Sequence, residues 1–425
     1  MRITVLAVGS RGDVQPYVAL ALGLQQAGHA VRLASHEGFR KLAEARGLAF
    51  APVGANPKAL LEGEAGQAWL TSGRNPLAFA RAMYRLLEPE MERLVADCWA
   101  VCQGADAVVY SPLGLPAYHI AEKLGMPSVA AALQPLTPTR AFPSVLMATG
   151  RPLGGTLNLL THLLGEQLLW QPYRRWVNRW RQETLGLPPV PLLGPAHGFS
   201  RERHLVLYGF SPVVVPKPED WGDRIHVTGY WFLNRPEGWQ PPRDLADFLA
   251  AGPPPISIGF GSMAVRDAAR TTEMALEALK RVGLRGVLLT GWGGLEERQR
   301  SDQVFFVREV PHDWLFPRVA AVVHHGGAGT TAAALRAGVP AVIIPFFGDQ
   351  PFWGHRVADL GAGPPPIIRR QLTVERLTTA LRVVVSDEAI KRRAAALGER
   401  IRGEDGVQQA VAAFHARVGG RPALA

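Results

Sequence analysis

The feature that most constrains this chain is a recurring alternation of short apolar runs, many of them β-branched, with segments of helical spacing. "RITVLAV" (2–8) and "VRLAS" (31–35) frame a segment in which Val14, Tyr17, Val18, Ala21, Leu22 and Gln25 fall on helical spacing. Gly28 suits the left-handed position that ends such a helix. The unit returns as "AVVY" (107–110), a helical "LPAYHIAEKLG", then "PSVAAAL". It restarts later with "PPISIGF", "TTEMALEALKRVG", "GVLLT" and "VFFV", and again with "AAVVHH", "GGAGTTAAALRAG" and "PAVIIPFF". Strands that are apolar on both faces need helices above and below, which a parallel sheet with crossover helices provides. The expected fold class is therefore α/β, with doubly wound parallel sheets.

A chain of 425 residues exceeds one ordinary core, so two domains are expected. Between 211 and 244 the text turns to "SPVVVPKPEDWGDRIHVTGYWFLNRPEGWQPPRD", rich in proline, glycine and isolated aromatics. The sequence thus divides into a domain at 1–215, a connection at 216–245, a second domain at 246–400, and a helical segment at 401–425 expected to return to the first. Ligands of doubly wound sheets bind beyond the carboxyl ends of the strands, so two such domains facing each other are expected to leave a cleft.

The apolar fraction of 47% and charged fraction of 19% are those of a folded globular protein. No run approaches the ~20 uncharged apolar residues of a membrane span. The nearest, "LGGTLNLLTHLLGEQLLW", is interrupted by His162 and Glu166. The run Ile3 to Val8 is too short for a signal-peptide core. These features point to a cytoplasmic protein, at most peripheral on the inner membrane face. Cys98 and Cys102 read as small core residues, since two ligands cannot close a structural zinc site. No metal is expected. The net charge of +10 suits an anionic partner, yet only six of the 46 basic residues are Lys, which a general preference for Arg explains equally well. No nucleic acid is expected as a partner.

The sharpest local signal is "VVHHGGAGTTAAALRAG" (322–338). A strand ends at His324-His325, glycines follow, and a helix begins near Thr330. Gly326, Gly327 and Gly329 let a ligand approach the backbone, and the first amides of the helix favour phosphate oxygens. His325 at the strand mouth can donate one more hydrogen bond. The spacing fits neither the P-loop nor the dinucleotide fingerprint. The competing reading is a tight corner with no ligand. "GFGSM" (259–263) closes an earlier strand and offers Ser262 to the same anion.

Arg11-Gly12-Asp13 follows the first strand. An adhesion role does not fit a tripeptide that runs straight into an amphipathic helix. Asp13 can cap that helix, with Pro16 tolerated near its start, or serve chemistry at the strand mouth. A helix N-terminus would favour its ionised form and lower its basicity.

Three segments, "GSRGDVQPYVALALGL", "VPHDWLFPRVAAVVHHGG" and "HHGGAGTTAAALRAGVPAVIIPFFGDQPFWGHRVADLG", resemble the sterol 3-β-glucosyltransferase family, within the wider group of nucleotide-sugar glycosyltransferases of plant metabolites and antibiotics. The resemblance covers most of the chain and is thinnest at about 56–105 and 135–205. It implies a GT-B fold of two Rossmann-like domains facing across a cleft, a metal-independent inverting reaction, a UDP-sugar donor such as UDP-glucose, and a hydrophobic hydroxyl-bearing acceptor. No cofactor is implied. The lack of any D-x-D pair agrees with metal independence. By the same resemblance Asp13 matches a general base, and His325 matches the histidine on the donor phosphate. Gly327, Ala328, Gly329 and Thr330 match the amide cradle, Asp349 and Gln350 the pair that binds sugar hydroxyls, and Val310 a backbone contact to the base. Ser10 and Gly12 either shape their loop or touch the diphosphate. Asp349 could instead be a helix N-cap before Pro351. The plant enzymes have a ribose-binding glutamate where this chain has Ala333, so uracil and thymine nucleotides both stay open.

For the acceptor, "WQPYRRWVNRWRQETLG" (170–186) sets Trp170, Tyr173, Val177 and Trp180 on one helical stripe, with Arg174, Arg175, Arg179 and Arg181 mostly off it. It is either a helix packed on its domain or a lid that also rests on anionic membrane. Trp69, Phe79 and Tyr84 either line the same pocket or belong to a core. Two other functions compete: a natural-product glycosyltransferase using a UDP- or dTDP-sugar on a polyketide or carotenoid, and a sugar-nucleotide epimerase, which needs no acceptor.

Overall fold

A computed structural model describes residues 1–54, 63–70, 75–147, 150, 153–194, 204–261, 268–291, 295–298 and 301–418. The chain forms two compact units, Met1–Leu233 with Asp405–Ala425, and Asn234–Glu404.

The first unit is built on a seven-stranded sheet: β1 (Arg2–Leu6), β2 (Ala30–Ser35), β3 (Ala49–Pro52), β4 (Ala107–Tyr110), β5 (Ser128–Ala132), β6 (Leu205–Tyr208) and β7 (Ile225–Val227), in the order β3-β2-β1-β4-β5-β6-β7. Every pairing is parallel, with Val5 opposite Leu33 on one side and Val109 on the other. All four residues of β4 and of β6 are buried, as apolar runs covered on both faces require. Chain order reverses between β1 and β4, which opens a crevice beyond their carboxyl ends.

Helix α1 (Arg11–Gln26) follows β1 and buries Val14, Tyr17, Val18, Leu20, Ala21 and Leu24. The Tyr17 hydroxyl donates to the Ala131 carbonyl at 2.6 Å, and its ring meets Trp231 edge-on at 5.7 Å. Helix α2 (Gly155–Trp180) is the longest helix in the described residues and carries Pro172 within it. Cys98 and Cys102 are free thiols in the helix Met91–Cys102, packed into the core with Leu6, Val108 and Ile120. Within the connecting stretch, residues up to 233 belong to the first unit. Trp221 stacks on Tyr208 at 4.9 Å and Trp231 donates to Thr228 at 2.9 Å, so the isolated aromatics pin the segment around the edge strand β7.

The second unit has a five-stranded sheet: β8 (Ile256–Gly259), β9 (Gly286–Leu289), β10 (Val304–Val307), β11 (Ala321–His324) and β12 (Ala341–Ile343), in the order β10-β9-β8-β11-β12. All its pairings are parallel, and the reversal falls between β8 and β11. Helix α3 (Ala328–Ala337) follows β11 and helix α4 (Gln350–Asp359) follows β12. The chain then returns to the first unit as α5 (Gly406–Val418), which buries Ala410, Val411 and Phe414. A Cβ at Gly23 of α1 would lie 2.2 Å from Cγ1 of Val407, so α1 and α5 meet where only a glycine fits. The expected α/β class with doubly wound parallel sheets holds in both units. No helix among the described residues is long and apolar enough to cross a membrane.

Candidate active site

In the first unit the loop 7–10 leaves β1 at the switch point. Its backbone is held from both neighbouring strands: Val8 N–H donates to Ser111 Oγ just past β4 (3.1 Å), and Gly9 N–H to His36 Nε2 just past β2 (3.1 Å). Ser10 is the N-cap of α1, and Asp13, three residues on, accepts from the Ser10 amide (2.8 Å) and hydroxyl (2.9 Å), both at Oδ2. The capping reading of Asp13 is thus realised in part, in the arrangement where an acidic side chain reaches back to the N-cap amide. Oδ1 makes no hydrogen bond among the described residues. Gly9 has φ +142, and a Cβ there would fall 2.7 Å from the Asp13 carboxylate, so the carboxylate lies directly against the bare backbone.

Burial raises the Asp13 carboxyl above its ordinary value, and the two bonds from Ser10 pull it only part of the way back. This reverses the direction expected from the helix terminus: desolvation outweighs the dipole, and the group is a better base than an ordinary aspartate. Its charge is felt by the buried Tyr17 phenol, which is pushed up by burial and by Asp13. Gly12 and Arg11 are exposed, and Ser10 is half-buried.

In the second unit β11 ends at His324, and the turn 325–327 leads into α3. His324 Nδ1 accepts from the Gly326 amide at 3.0 Å. Gly326 adopts φ +88, and a Cβ there would lie 2.7 Å from Ile343 and 3.0 Å from the Gln350 carbonyl oxygen, so β12 and α4 close over the turn. The N-cap of α3 is Gly327, with no capping side chain. The amides of Ala328, Gly329 and Thr330 have no acceptor among the described residues, and these residues are partly exposed. An uncapped helix start of this kind suits an anion.

The His325 ring lies over that start: a Cβ at Gly327 would be 2.4 Å from its Nε2, and one at Gly261, after β8, 3.1 Å from its Cε1. Burial, with His312 nearby, lowers His325 to about 4, so at neutral pH it is an uncharged imidazole offering one N–H. Ser262 lies outside the described residues. Val310 is buried, and Ala333 is a half-buried residue of α3.

After β12, Asp349 caps α4 by position but accepts no amide from it; its Oδ2 takes the Trp353 indole N–H at 2.8 Å. Gln350 is 4% exposed, and its Oε1 accepts from the amides of Phe346 (2.8 Å) and Phe347 (3.3 Å). Its carbonyl end is therefore committed to the loop, whereas the half-buried Asp349 remains partly open to solvent.

The aromatics assigned to an acceptor fall into pairs within the first unit. Trp69 lies 5.7 Å from Phe79, and Tyr84 lies 5.2 Å from Tyr173. Trp170 is buried and donates to the Leu192 carbonyl. Trp180 packs on the core with its ring 5.9 Å from that of His119, so the stripe of α2 turns inward. Arg181, grouped with the arginines expected mostly off the stripe, is instead buried. It is 4% exposed, pairs with Glu122 at 2.8 Å, and bonds His119 at 2.7 Å and the Pro188 carbonyl at 2.9 Å. The α-helical period already places it there, since Arg181 follows Trp170 by about three full turns, and a π-helical turn at Arg181–Leu185 comes after it. Residues missed from sequence are His36, Tyr17, His324 and Trp353. Only His324, beside the glycine turn, carried a local signal.

Residues 3–143 match the model of the glycosyltransferase family 28 N-terminal domain, and residues 295–412 that of the erythromycin biosynthesis protein CIII-like C-terminal domain. A sterol 3-beta-glucosyltransferase of Arabidopsis thaliana is 40% identical over 98% of this chain and 68% of its own length. One from Neurospora crassa is 38% identical over 98% of this chain but only 27% of its own length, so the chain spans about a quarter to two thirds of these curated relatives. Among solved structures, the kitacinnamycin glycosyltransferase superposes with TM-score 0.71 at 21% identity, over 98% of this chain and 99% of that one. Glycosyltransferase VinC in complex with dTDP gives 0.66 at 21%, over 99% and 100%. The two parallel sheets and these neighbours identify the GT-B fold, and the chain belongs to the sterol 3-beta-glucosyltransferase family.

Proposed function

We propose that this protein transfers glucose from UDP-glucose to the hydroxyl of a sterol or sterol-like lipid, with inversion at the anomeric carbon. The acceptor oxygen forms its bond to C1 as the bond from C1 to the diphosphate oxygen breaks. Asp13 takes the hydroxyl proton at its carboxylate, an assignment supported by burial that raises its basicity and by Oδ1, which has no hydrogen-bond partner among the described residues. The proton transfer accompanies C–O bond formation, because a carboxylate is too weak to free an alkoxide beforehand. General-base help of this kind contributes roughly 10²- to 10⁴-fold. The departing diphosphate gains charge and is received by the neutral His325 N–H and the amides of Ala328, Gly329 and Thr330, donors that typically supply a few kcal/mol each. Asp349 and Gln350 receive the sugar hydroxyls, with Asp349 oriented by Trp353. No cofactor enters the reaction.

The observation that carries this reading is the turn 325–330, an uncapped helix start with a neutral histidine above it. The test is mass spectrometry of products from a matrix of nucleotide sugars and hydrophobic alcohols. Asp13→Asn should keep UDP binding while turnover falls at least ~100-fold, and full turnover in that variant removes the base assignment. His325→Ala should weaken UDP. Consumption of UDP-glucose without any acceptor would favour an epimerase. A dTDP-sugar is the second reading. It is favoured by Ala333, whose methyl cannot hydrogen-bond ribose, and competition between UDP- and dTDP-glucose decides it.

Peripheral contact with anionic membrane belongs to the same proposal. Leu157, Leu160 and Leu164 of α2 are about half-exposed at helical spacing, beside the equally exposed Leu192 and Leu193. Exposed Arg175 and Arg179 follow on the same side of the helix at the 3.6-residue period. Co-sedimentation with phosphatidylglycerol vesicles should be lost in a Leu157/Leu160/Leu164→Ser variant. Equal sedimentation of that variant, or none by the wild type, refutes the contact.

A further inference from the structure

Of the buried histidines outside the reacting set, two stand one behind each turn. His36 is 4% exposed and His324 is 1% exposed. His36 Nε2 accepts the Gly9 amide at 3.1 Å, and His324 Nδ1 accepts the Gly326 amide at 3.0 Å. The two glycines have positive φ, +142 and +88, and each is the residue at which the chain leaves its strand for the following helix. Each also lies against a reacting element. Gly9 touches the Asp13 carboxylate, and Gly326 precedes the N-cap of α3 beneath His325.

We infer that His36 and His324 are positioning residues, each kept in the tautomer whose unprotonated nitrogen takes a glycine amide, and that they hold the Asp13 loop and the diphosphate turn in their reactive shapes. The argument is one of bonding capacity. An amide buried at a turn needs an acceptor, and a backbone carbonyl cannot reach it where the chain departs from both strand and helix. A side chain must therefore supply one, and a neutral imidazole has a single acceptor nitrogen. The requirement fixes opposite tautomers: His36 must carry its proton on Nδ1, and His324 on Nε2. Burial and the neighbouring His325 and His312 keep His324 uncharged, consistent with an acceptor role. Neither ring has to touch a substrate. The two act in different steps, His324 through the grip on diphosphate and His36 through the placement of the base.

The tautomer arm of the test needs no activity and stands whether or not UDP-glucose is the donor; the kinetic arm rests on the function proposed above. In the folded wild type with ¹⁵N-labelled histidine, long-range ¹H–¹⁵N spectra should show His36 protonated at Nδ1 and His324 at Nε2. The opposite tautomer at either residue overturns its assignment. In the kinetic arm, His324→Leu should raise the UDP dissociation constant at least ~10-fold, and His324→Asn, which offers an acceptor near the Nδ1 position, should restore most of it. His36→Leu should lower kcat at least ~10-fold with UDP affinity unchanged, and His36→Gln, with an acceptor near Nε2, should restore turnover. Amide variants no better than the leucine variants at equal melting temperature would refute the idea, as would His36→Leu weakening UDP as much as His324→Leu does. Should a leucine variant fail to fold, the amide variant and the tautomer spectra still decide.

Discussion

Adding one methyl group at Gly327 isolates the role of His325. Gly327 has φ −62 and ψ 144, an extended conformation open to any residue, so alanine adds no backbone strain. The new Cβ would nevertheless stand 2.4 Å from His325 Nε2 and 3.2 Å from Cδ2, at least about 1 Å inside ordinary contact for the closer pair. The turn cannot easily retreat, because Gly326 is already wedged against Ile343 and the Gln350 backbone. The ring must move instead, and with it the N–H offered to phosphate. A hydrogen bond to a charged group is worth roughly 1.5–3 kcal/mol, so UDP affinity should fall roughly 10- to 150-fold. Stability should fall by about 1 kcal/mol, the usual cost of alanine in place of a better N-cap. Titration calorimetry of UDP into the wild type, Gly327→Ala, His325→Ala and the double variant gives the coupling. The double variant should bind no worse than His325→Ala, since both changes remove the same bond. Unchanged affinity in Gly327→Ala, or losses that add in the double variant, would show that the ring is not the phosphate donor.

Because the folded Asp13 carboxyl titrates above its ordinary 3.8, ionising it destabilises the fold, a cost that is absent at low pH and complete above its folded value. Asp13→Asn should therefore gain stability over the wild type as pH rises through that window, and a gain that shrinks with rising pH contradicts the burial argument. His325, lowered to about 4, and His119, lowered to about 3, contribute the opposite trend: stability is full above 6.5 and is lost as pH falls toward the folded values. Each should give up about 2 kcal/mol by pH 5, seen as falling melting temperatures, and flat melting between pH 7 and 5 would refute it. Arg181→Ala removes a cation bonded to Glu122, His119 and the Pro188 carbonyl and should cost about 3 kcal/mol, near the lower end for a buried pair because Glu122 is partly hydrated. A loss under about 1 kcal/mol would mean that the surrounding groups rehydrate freely. Trp353→Phe removes the indole hydrogen bond that orients the Asp349 carboxylate and should raise KM for the nucleotide sugar with a stability change of about 1 kcal/mol, whereas an unchanged KM would separate Asp349 from sugar binding.

The sheets were legible because their strands are apolar on both faces: "AVVY" and "VFFV" form strands over the very residues quoted. β3 and β7 were not. Ala49–Pro52 is four residues ending in proline, and Ile225–Val227 is three with a histidine at the centre, so both edge strands fall below any periodic signal. The turn around His325 could be read locally, since strand, glycines and helix are contiguous there. Asp13 could be located, but its titration could not. The direction is set by burial that depends on long-range packing around Gly9 and Tyr17, and it runs against the helix-terminus effect visible in the text. His36 was invisible for the same reason: it reaches Gly9 from 27 residues away, across a neighbouring strand. Arg181 misled because it was grouped with the arginines mostly off the stripe, although about three helical turns from Trp170 return it to the buried face, where Glu122 and His119 meet its charge.

The polypeptide passes into the second unit at 234 and comes back at 405 to lay α5 against α1. One unit is consequently an insertion in the other, and neither junction alone separates them. Hybrid enzymes made by grafting one half of this architecture onto another must be spliced at both crossings. A single-junction fusion would import a foreign final helix opposite Gly23, where any side chain other than that glycine's hydrogen collides with the partner it meets here.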